Sequence, residues 1–502
     1  MIKKVLKMII FLFILLILSI SIFIKFNFSS ANFEQLYTAF TKFNGVGIDS
    51  IKHGIVFTII FFLLFIFIFI FLPKSLEILF KRKEYSIKLK NKKYFKIYLP
   101  PKLNSKYYIT ISIISILIIF YNIGIIEFIS NKFIKTNIYE NYYVNPKEVK
   151  YIFPSNKKNL IHIYLESMES SFINTKKGIN YIPELEKIAK DNINFSNTNG
   201  IGGALSTTNT TWTISGLVAQ TAGIPMNMSV EPNSYEDISS FLPGSYTLGE
   251  ILEDNGYKNY ILLGSDASFA GRDEYYKEHG NYTIYDYNYA LKYNLIPSNY
   301  KVWWGYEDKK LYEIAKNKLI EASSVGNFNF SILTADTHFQ DGYLDNSCDK
   351  NYEEKYENVL SWSSKMLYEF IEWIKKQSFY ENTIIVITGD HLTMQHGKFI
   401  KNNLYKERTI YNVFINTDKN TNNYKNRLFS SIDIFPTTLS ALNVEFNSNR
   451  LGLGTNLFSN KKTLFEELGV DYVNKELYKT SNYYNKNILK STYYEMIKSN
   501  LE

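Results

Sequence analysis

Cysteine is almost absent from this sequence. Cys348 is the only one in 502 residues, which excludes an intramolecular disulfide and any metal cluster built on thiolates. A folded part must therefore hold by burial, and a chain of this length has enough surface to bury. No internal repeat is visible. A basic face is also missing from most of the chain. The formal balance is +8, but Lys3, Lys4 and Lys7 precede the first apolar run. The stretch from Lys74 to Lys106 then holds eleven Lys or Arg against only Glu77 and Glu84. Those two stretches carry more than the whole surplus, so the rest is mildly acidic and a nucleic-acid partner is not indicated. The length calls for at least two units.

Three runs lack charge almost entirely: residues 8–24, 54–72 and 109–129. Each is close to the ~20 residues a helix needs to cross a bilayer, and none shows a polar face. The first follows a short basic segment, as a signal peptide does, but it lacks a small-residue cleavage pattern before Lys25 and reads as an uncleaved span. Positive charge marks the cytoplasmic side. The N-terminus and the Lys74–Lys106 loop then lie inside, and everything after the third span lies outside. The expected layout is a membrane anchor over residues 1–130, a linker over 131–158, a globular domain over 159–459 and a polar tail over 460–502. A multi-pass membrane chain is expected, with the globular domain on the side away from the cytoplasm.

From residue 159 short apolar runs alternate with longer amphipathic ones. Strands are predicted at 159–166, 260–263, 329–333, 383–388 and 411–415. Helices are predicted at 181–190, 213–221 (stopped by Gly223 and Pro225), 311–322 and 356–376. Such alternation implies an α/β fold with a mostly parallel sheet sandwiched by helices.

In a sheet of this kind ligands bind beyond the carboxyl ends of the strands, and the candidate residues stand there. Glu166 ends NLIHIYLE and suits a hard metal; Glu169, one helical turn on, competes with it. A Gly- and hydroxyl-rich loop runs into the helix that begins at Thr213. Its free amides and dipole favour a phosphate, and the Thr213 hydroxyl could attack phosphorus. Thr208, Thr210 and Thr211 are alternatives on position alone, and an ordinary threonine cap is the bland reading. Asp390 and His391 follow a strongly apolar strand in IIVITGDH, where a pair of metal ligands is at home. His396 either lines the same site or sits on the surface. His338 in TADTHF is placed to hold a phosphoryl oxygen or protonate a leaving group. Arg272 in SFAGRDEYY offers a guanidinium fork for phosphate oxygens. Singly these residues are weak signals. Jointly they describe a one-metal phosphotransfer site, the ion held by Glu166, Thr213, Asp390 and His391.

The order of these segments resembles the alkaline phosphatase/sulfatase superfamily, and within it the lipoteichoic acid synthase and phosphoglycerol transferase group. YLESME is similar to the first metal-ligand strand. WTISGLVAQTAGIP looks like the nucleophile helix of the glucan-modifying phosphoglycerol transferases and assigns the nucleophile to Thr213. SFAGRDEYYKEHG, THF and TGDH resemble the segments that supply Arg272, His338 and the Asp390–His391 pair; SSIDIFPTTLSAL and RLGLGTNLFS resemble those that close the fold. The Cys/Ser-x-Pro-x-Arg motif of true sulfatases is absent, and one cysteine does not fit the disulfide-rich phosphoethanolamine transferases that modify lipid A. Two departures stand out: Ala270 occupies a position where the synthases carry Trp, and three spans replace their usual five, which favours single-unit transfer over polymerisation.

The resemblance implies a phosphoglycerol group moved from phosphatidylglycerol to an envelope-glycan hydroxyl through a covalent threonine intermediate. It also implies one divalent cation, Mn²⁺ or Mg²⁺, although the ligand set would accept Zn²⁺. Phosphoethanolamine transfer, phosphodiester hydrolysis and a non-catalytic membrane-bound scaffold are the competing expectations.

Overall fold

The computed structural model describes residues 2–27, 48–73, 86–88, 94–96, 105–227, 240–395, 397–419 and 423–489. They divide into two compact units, Met1–Leu36 with Val46–Ile129, and Tyr37–Gly45 with Ser130–Glu502.

The first unit is built on α1 (Ile2–Asn27), α2 (Ile48–Ile66), prolonged by the π-helical turn Phe67–Phe71, and α3 (Ser105–Asn122). Phe11, Leu15, Leu18, Ile70 and Ile119 bury against one another. The buried hydroxyls of Ser19 and Ser21 donate back to the carbonyls of Leu15 and Leu18, both at 2.8 Å, so no polar group there needs water. The outward faces carry Ile9, Phe13, Ile59, Leu63, Ile113 and Leu117, an exposure that suits lipid rather than water. Val5–Phe26 and Gly54–Phe71 are long and apolar enough to cross a bilayer. The third expected span, 109–129, is not one helix. Its apolar part is the shorter Lys106–Asn122; the chain turns at Gly124, whose φ of 70° ends the helix, and restarts as Ile125–Phe133. Most of the two loops on which the orientation was argued, including much of the basic one, lies outside the described residues.

The second unit is an α/β sandwich. Its central sheet has six strands: β1 (Asn159–Leu165), β2 (Lys258–Leu263), β3 (Thr283–Tyr285), β4 (Phe328–Leu333), β5 (Thr383–Gly389) and β6 (Asn412–Ile415). They lie in the order β3-β2-β4-β1-β5-β6, parallel except for β6 at the edge. Successive side chains of β1 point to opposite faces. Ile161, Ile163 and Leu165 join the helices Pro183–Asp191, Asp308–Val325 and Lys355–Ile374 in one core. Tyr164 faces the helix Thr213–Ala222, and Leu160 faces Leu248–Glu253 and Ile434–Ala441 on the other side. Register matters most for function. Tyr164 pairs with Leu333 and Leu165 with Gly389, so β1, β4 and β5 end level.

The stretch 131–158, expected as a linker, is instead built into this unit, and so is the described part of the tail. Tyr139 of the helix Ile138–Tyr142 is 1% exposed and packs on Tyr484 with ring centroids 5.3 Å apart. The strand Tyr151–Ile152 pairs with Glu445–Phe446. Helices Leu464–Leu468, Val470–Leu477 and Asn482–Asn487 send Phe465, Val473, Leu477 and Tyr484 into the cluster that holds Ile214, Leu217 and Val218. These segments read as polar because their few apolar residues are spaced among polar ones and include tyrosines such as Tyr139 and Tyr484, whose rings bury.

Candidate metal centre

Because Leu165 lies beside Gly389, the next residues of β1 and β5 leave the sheet side by side. Glu166, Asp390 and His391 each offer one ligand atom, and those atoms lie within 4.8 Å of one another. All three side chains are buried. The Asp390 carboxylate is aimed by its own neighbours. Its Oδ1 accepts from the amides of Ser167 and His391, each at 2.7 Å, while Oδ2 has no partner. His391 is aimed in the same manner. Nδ1 lies 2.8 Å from the Leu392 carbonyl and so carries the proton, leaving the unpartnered Nε2 with its lone pair outward. That nitrogen stands 3.4 Å from Glu166 Oε1 and 3.5 Å from Asp390 Oδ2. A buried polar atom without a partner costs about 1–3 kcal/mol. Two such atoms converging on a carboxylate fit a divalent cation.

The electrostatics point the same way. Burial lifts the Asp390 carboxyl to about 7, and the Glu166 charge adds to the lift. Burial pushes Glu166 up as well, but His338, His391 and the Ser167 hydroxyl outweigh it and hold Glu166 below its usual value. His391 is depressed by burial but raised on balance by Asp390 and Glu166. Two acids crowded this way need positive charge between them, from a proton or an ion.

Thr213 is the first residue of its helix and donates its hydroxyl to Glu166 Oε2 at 3.2 Å. The other threonines are occupied elsewhere or lie outside the helix. Thr208 bonds to Asn474, Thr210 to the Thr207 carbonyl, and Thr211 precedes the helix. Of these threonines, Thr213 is the one whose hydroxyl meets Glu166. Glu169 stands apart from the Glu166–Asp390–His391 group: it is fully buried, paired with Arg408, and accepts from the Thr393 amide at 2.8 Å. No sequence signal foretells Arg408, which meets Glu169 only through the fold.

The loop after β4 is fastened to the same carboxylate residue. The Glu166 amide donates to Thr334 Oγ1 at 2.9 Å, and Thr337 donates back to the Glu166 carbonyl. His338 follows, with Nδ1 against the Phe339 carbonyl; burial lowers its pKa and Glu166 opposes that. Arg272 arrives from the loop after β2. Its Nε and one Nη donate to the carbonyls of Phe269 and Asp266 at 3.0 and 2.7 Å. Burial brings it down to about 10 while the Glu166 charge pulls the other way. The structure therefore brings Glu166, Thr213, Asp390 and His391 into one cluster with Arg272 and His338 within its field. His396 lies outside the described residues. Ser167, held at a φ of 55° so that its amide reaches Asp390, is a contributor the sequence reading missed; a non-glycine residue in that region often marks a site.

Comparison with known proteins agrees with this geometry. The family model described as Sulfatase matches residues 158–444. A phosphoglycerol transferase I of Salmonella choleraesuis (strain SC-B67) is 33% identical over 277 residues, which covers 53% of this chain and 35% of that protein. The Citrobacter koseri protein of the same name is 33% identical over 280 residues, with the same two coverages. The chain thus spans about a third of the length of the curated relatives it matches. Among solved structures, an alkaline phosphatase superfamily protein from Vibrio parahaemolyticus superposes with a TM-score of 0.50 at 20% identity, covering 64% of this chain and 76% of that one; this likeness concerns the fold. The family match takes in more than half of the chain, including every strand of the sheet and all four members of the cluster, and so this protein belongs to the sulfatase family.

Proposed function

We propose that this protein is a membrane-anchored transferase that moves a phosphoglycerol group from phosphatidylglycerol to a hydroxyl of a cell-envelope glycan, with Thr213 as nucleophile. The observation that carries the reading is the Thr213 hydroxyl, 3.2 Å from Glu166 at the N-terminus of a ten-residue helix. A threonine there can be activated by the cluster, while the helix amides receive the phosphate oxygens. In the first step Thr213 Oγ1 bonds to phosphorus and the bond from phosphorus to the diacylglycerol oxygen breaks. The Thr213 proton is released, and the departing oxygen takes one up, with His338 as its carrier. In the second step the acceptor hydroxyl attacks the same phosphorus, loses its proton, and the threonine oxygen leaves and is reprotonated. Arg272 and His338 hold the non-bridging oxygens between steps. Glu166, Thr213, Asp390 and His391 would hold a divalent cation, Mn²⁺ or Mg²⁺ in this reading, which would lower the pKa of the hydroxyl and neutralise the phosphate.

An apolar anchor explains how a soluble domain meets a lipid donor whose leaving group stays in the bilayer. In this reading the anchor sits in the bacterial cytoplasmic membrane and the domain faces the envelope. Similarity to phosphoglycerol transferases favours glycerol phosphate over ethanolamine phosphate. The test is to incubate the full chain with vesicles of headgroup-labelled phosphatidylglycerol, quench, and map the label. Label on the Thr213 peptide, absent from Thr213→Ala, supports the proposal. Label on another residue, or labelling only from phosphatidylethanolamine vesicles, overturns it.

A further inference from the structure

A tight turn at Val302–Gly305 presents two tryptophans beside the site. Val302 and Gly305 exchange amide-to-carbonyl bonds at 2.8 and 3.0 Å, with Trp303 at a φ of 53°. The turn is pressed onto the end of β2. The Tyr306 amide donates to the Gly264 carbonyl at 2.9 Å, and a Cβ on Gly305 would fall 2.0 Å from that oxygen. It is also stapled to the loop after β4. Trp303 Nε1 donates to the Ala335 carbonyl at 3.1 Å, and Asp308 accepts from the amides of Ala335 and Asp336 at 2.7 and 3.1 Å. One short segment thus ties together the Arg272 loop and the His338 loop.

Trp304 occupies the gap between them. Its ring centroid lies 4.6 Å from that of His338, edge to face, and 5.5 Å from that of Phe269. The Arg272 guanidinium sits 5.4 Å from the Phe269 ring. Arg272, Phe269, Trp304 and His338 form a continuous run, with the two candidate phosphate contacts at its ends and two half-buried rings between them. A phosphate bound by Arg272 or His338 would carry its carbon substituent beside those rings, where C–H groups can meet a π face without losing hydrogen bonds.

We infer that Trp304, backed by Phe269, is a specificity-determining residue: it is the wall on which the carbon skeleton of the transferred headgroup packs. This rests on the phosphoglycerol reading above. The test uses the full chain with two donors in otherwise identical vesicles, phosphatidylglycerol and phosphatidylmethanol, which share a leaving group and differ only in the headgroup transferred. Wild type should prefer the glycerol donor in kcat/KM. Trp304→Ala should narrow that preference by about tenfold, chiefly through KM, and Trp304→Phe should restore most of it. An unchanged preference in Trp304→Ala, or equal losses on both donors, overturns the inference, because a merely structural tryptophan would slow both alike. If the alanine variant fails to fold, Phe269→Leu carries the same comparison: a narrowed preference supports the inference, and a wild-type preference overturns it. No action of wild type on phosphatidylglycerol would instead sink the underlying reading, and the inference with it.

Discussion

Gly216 lies directly against Asp390: a Cβ on Gly216 would fall 2.2 Å from the Asp390 carbonyl oxygen. One turn upstream on the same helix, Thr213 reaches Glu166. The helix can deliver its hydroxyl to the cluster only because it has no side chain where it crosses the end of β5. Gln220 locks the crossing further along by donating to the Gly389 carbonyl at 2.9 Å.

Gly216→Ala should therefore cost activity far more than stability. Alanine gains about 1 kcal/mol in helix propensity, and the contact with rigid backbone forces a shift costing about 1–3 kcal/mol. The unfolding midpoint should move by only a few degrees, whereas the proposed nucleophile Thr213, displaced by about 1 Å, should lose roughly a hundredfold in rate. A calorimetric scan beside the labelling assay separates the two; wild-type turnover would contradict this account.

The unpartnered Asp390 Oδ2 and His391 Nε2 make cation binding a stability term. Added at 100 times its dissociation constant, the ion should stabilise the fold by about 2.7 kcal/mol, seen as a rise in midpoint that EDTA reverses. In Asp390→Asn that rise should disappear. A variant that still shows the full metal shift would show that the ion sits elsewhere.

Arg408 and Glu169 supply the opposite control. Removing the guanidinium leaves a buried carboxylate unpaired, a loss of about 3–5 kcal/mol. Arg408→Met should lower the unfolding midpoint sharply yet keep the metal-induced rise, since Glu169 pairs with Arg408 outside the Glu166–Asp390–His391 group. Loss of the rise in a variant still folded by circular dichroism would return Glu169 to the ligand set.

Asp336 gives a pH signature of definite sign. Its side chain is buried, 1% exposed. Burial, then the charges of Asp308, Glu307 and Asp345, push its pKa well above the usual carboxylate range, against a backbone hydrogen bond from Asp308. The folded state therefore binds this proton more tightly than the unfolded chain does. The Asp336 contribution is fully retained below the unfolded pKa near 4 and falls by up to about 1.4 kcal/mol per pH unit as pH rises toward the folded value. Asp336→Asn should thus be closer to wild type at pH 4 and more stable than wild type at pH 7.5, measured by urea unfolding. A stability difference that does not grow with pH would refute this assignment.

Much of this molecule is determined locally. Side-chain periodicity alone distinguishes the strands from the helices that cover them, and apolar strands ending in an acid or in Asp-His announce ligands, because a charged group leaves a buried strand only where the sheet ends. The helix from Thr213 to Gly223 is legible for the same reason, since a left-handed glycine at a φ of 66° is a backbone requirement written in one residue. The lengths of the first two apolar runs follow from composition.

Other features exist only as contacts between distant segments. Glu166 and Glu169 are equivalent as letters; Arg408 claims one and the level ends of β1 and β5 give the other to the cluster. Thr208 and Thr213 are the same letter; Asn474 holds the first, while the second opens its helix against Glu166. Residues 131–158 and the described part of the tail look polar until tyrosine rings meet across the domain. Trp304 carries no local signal at all, because its place between Phe269 and His338 depends on the loops after β2 and β4 and on the turn before the helix Asp308–Val325. Local pattern records what each segment must bury, and burial is a one-body demand. Which partner it is buried against, and which acid is left free for an ion, are pairwise matters that only the folded chain decides.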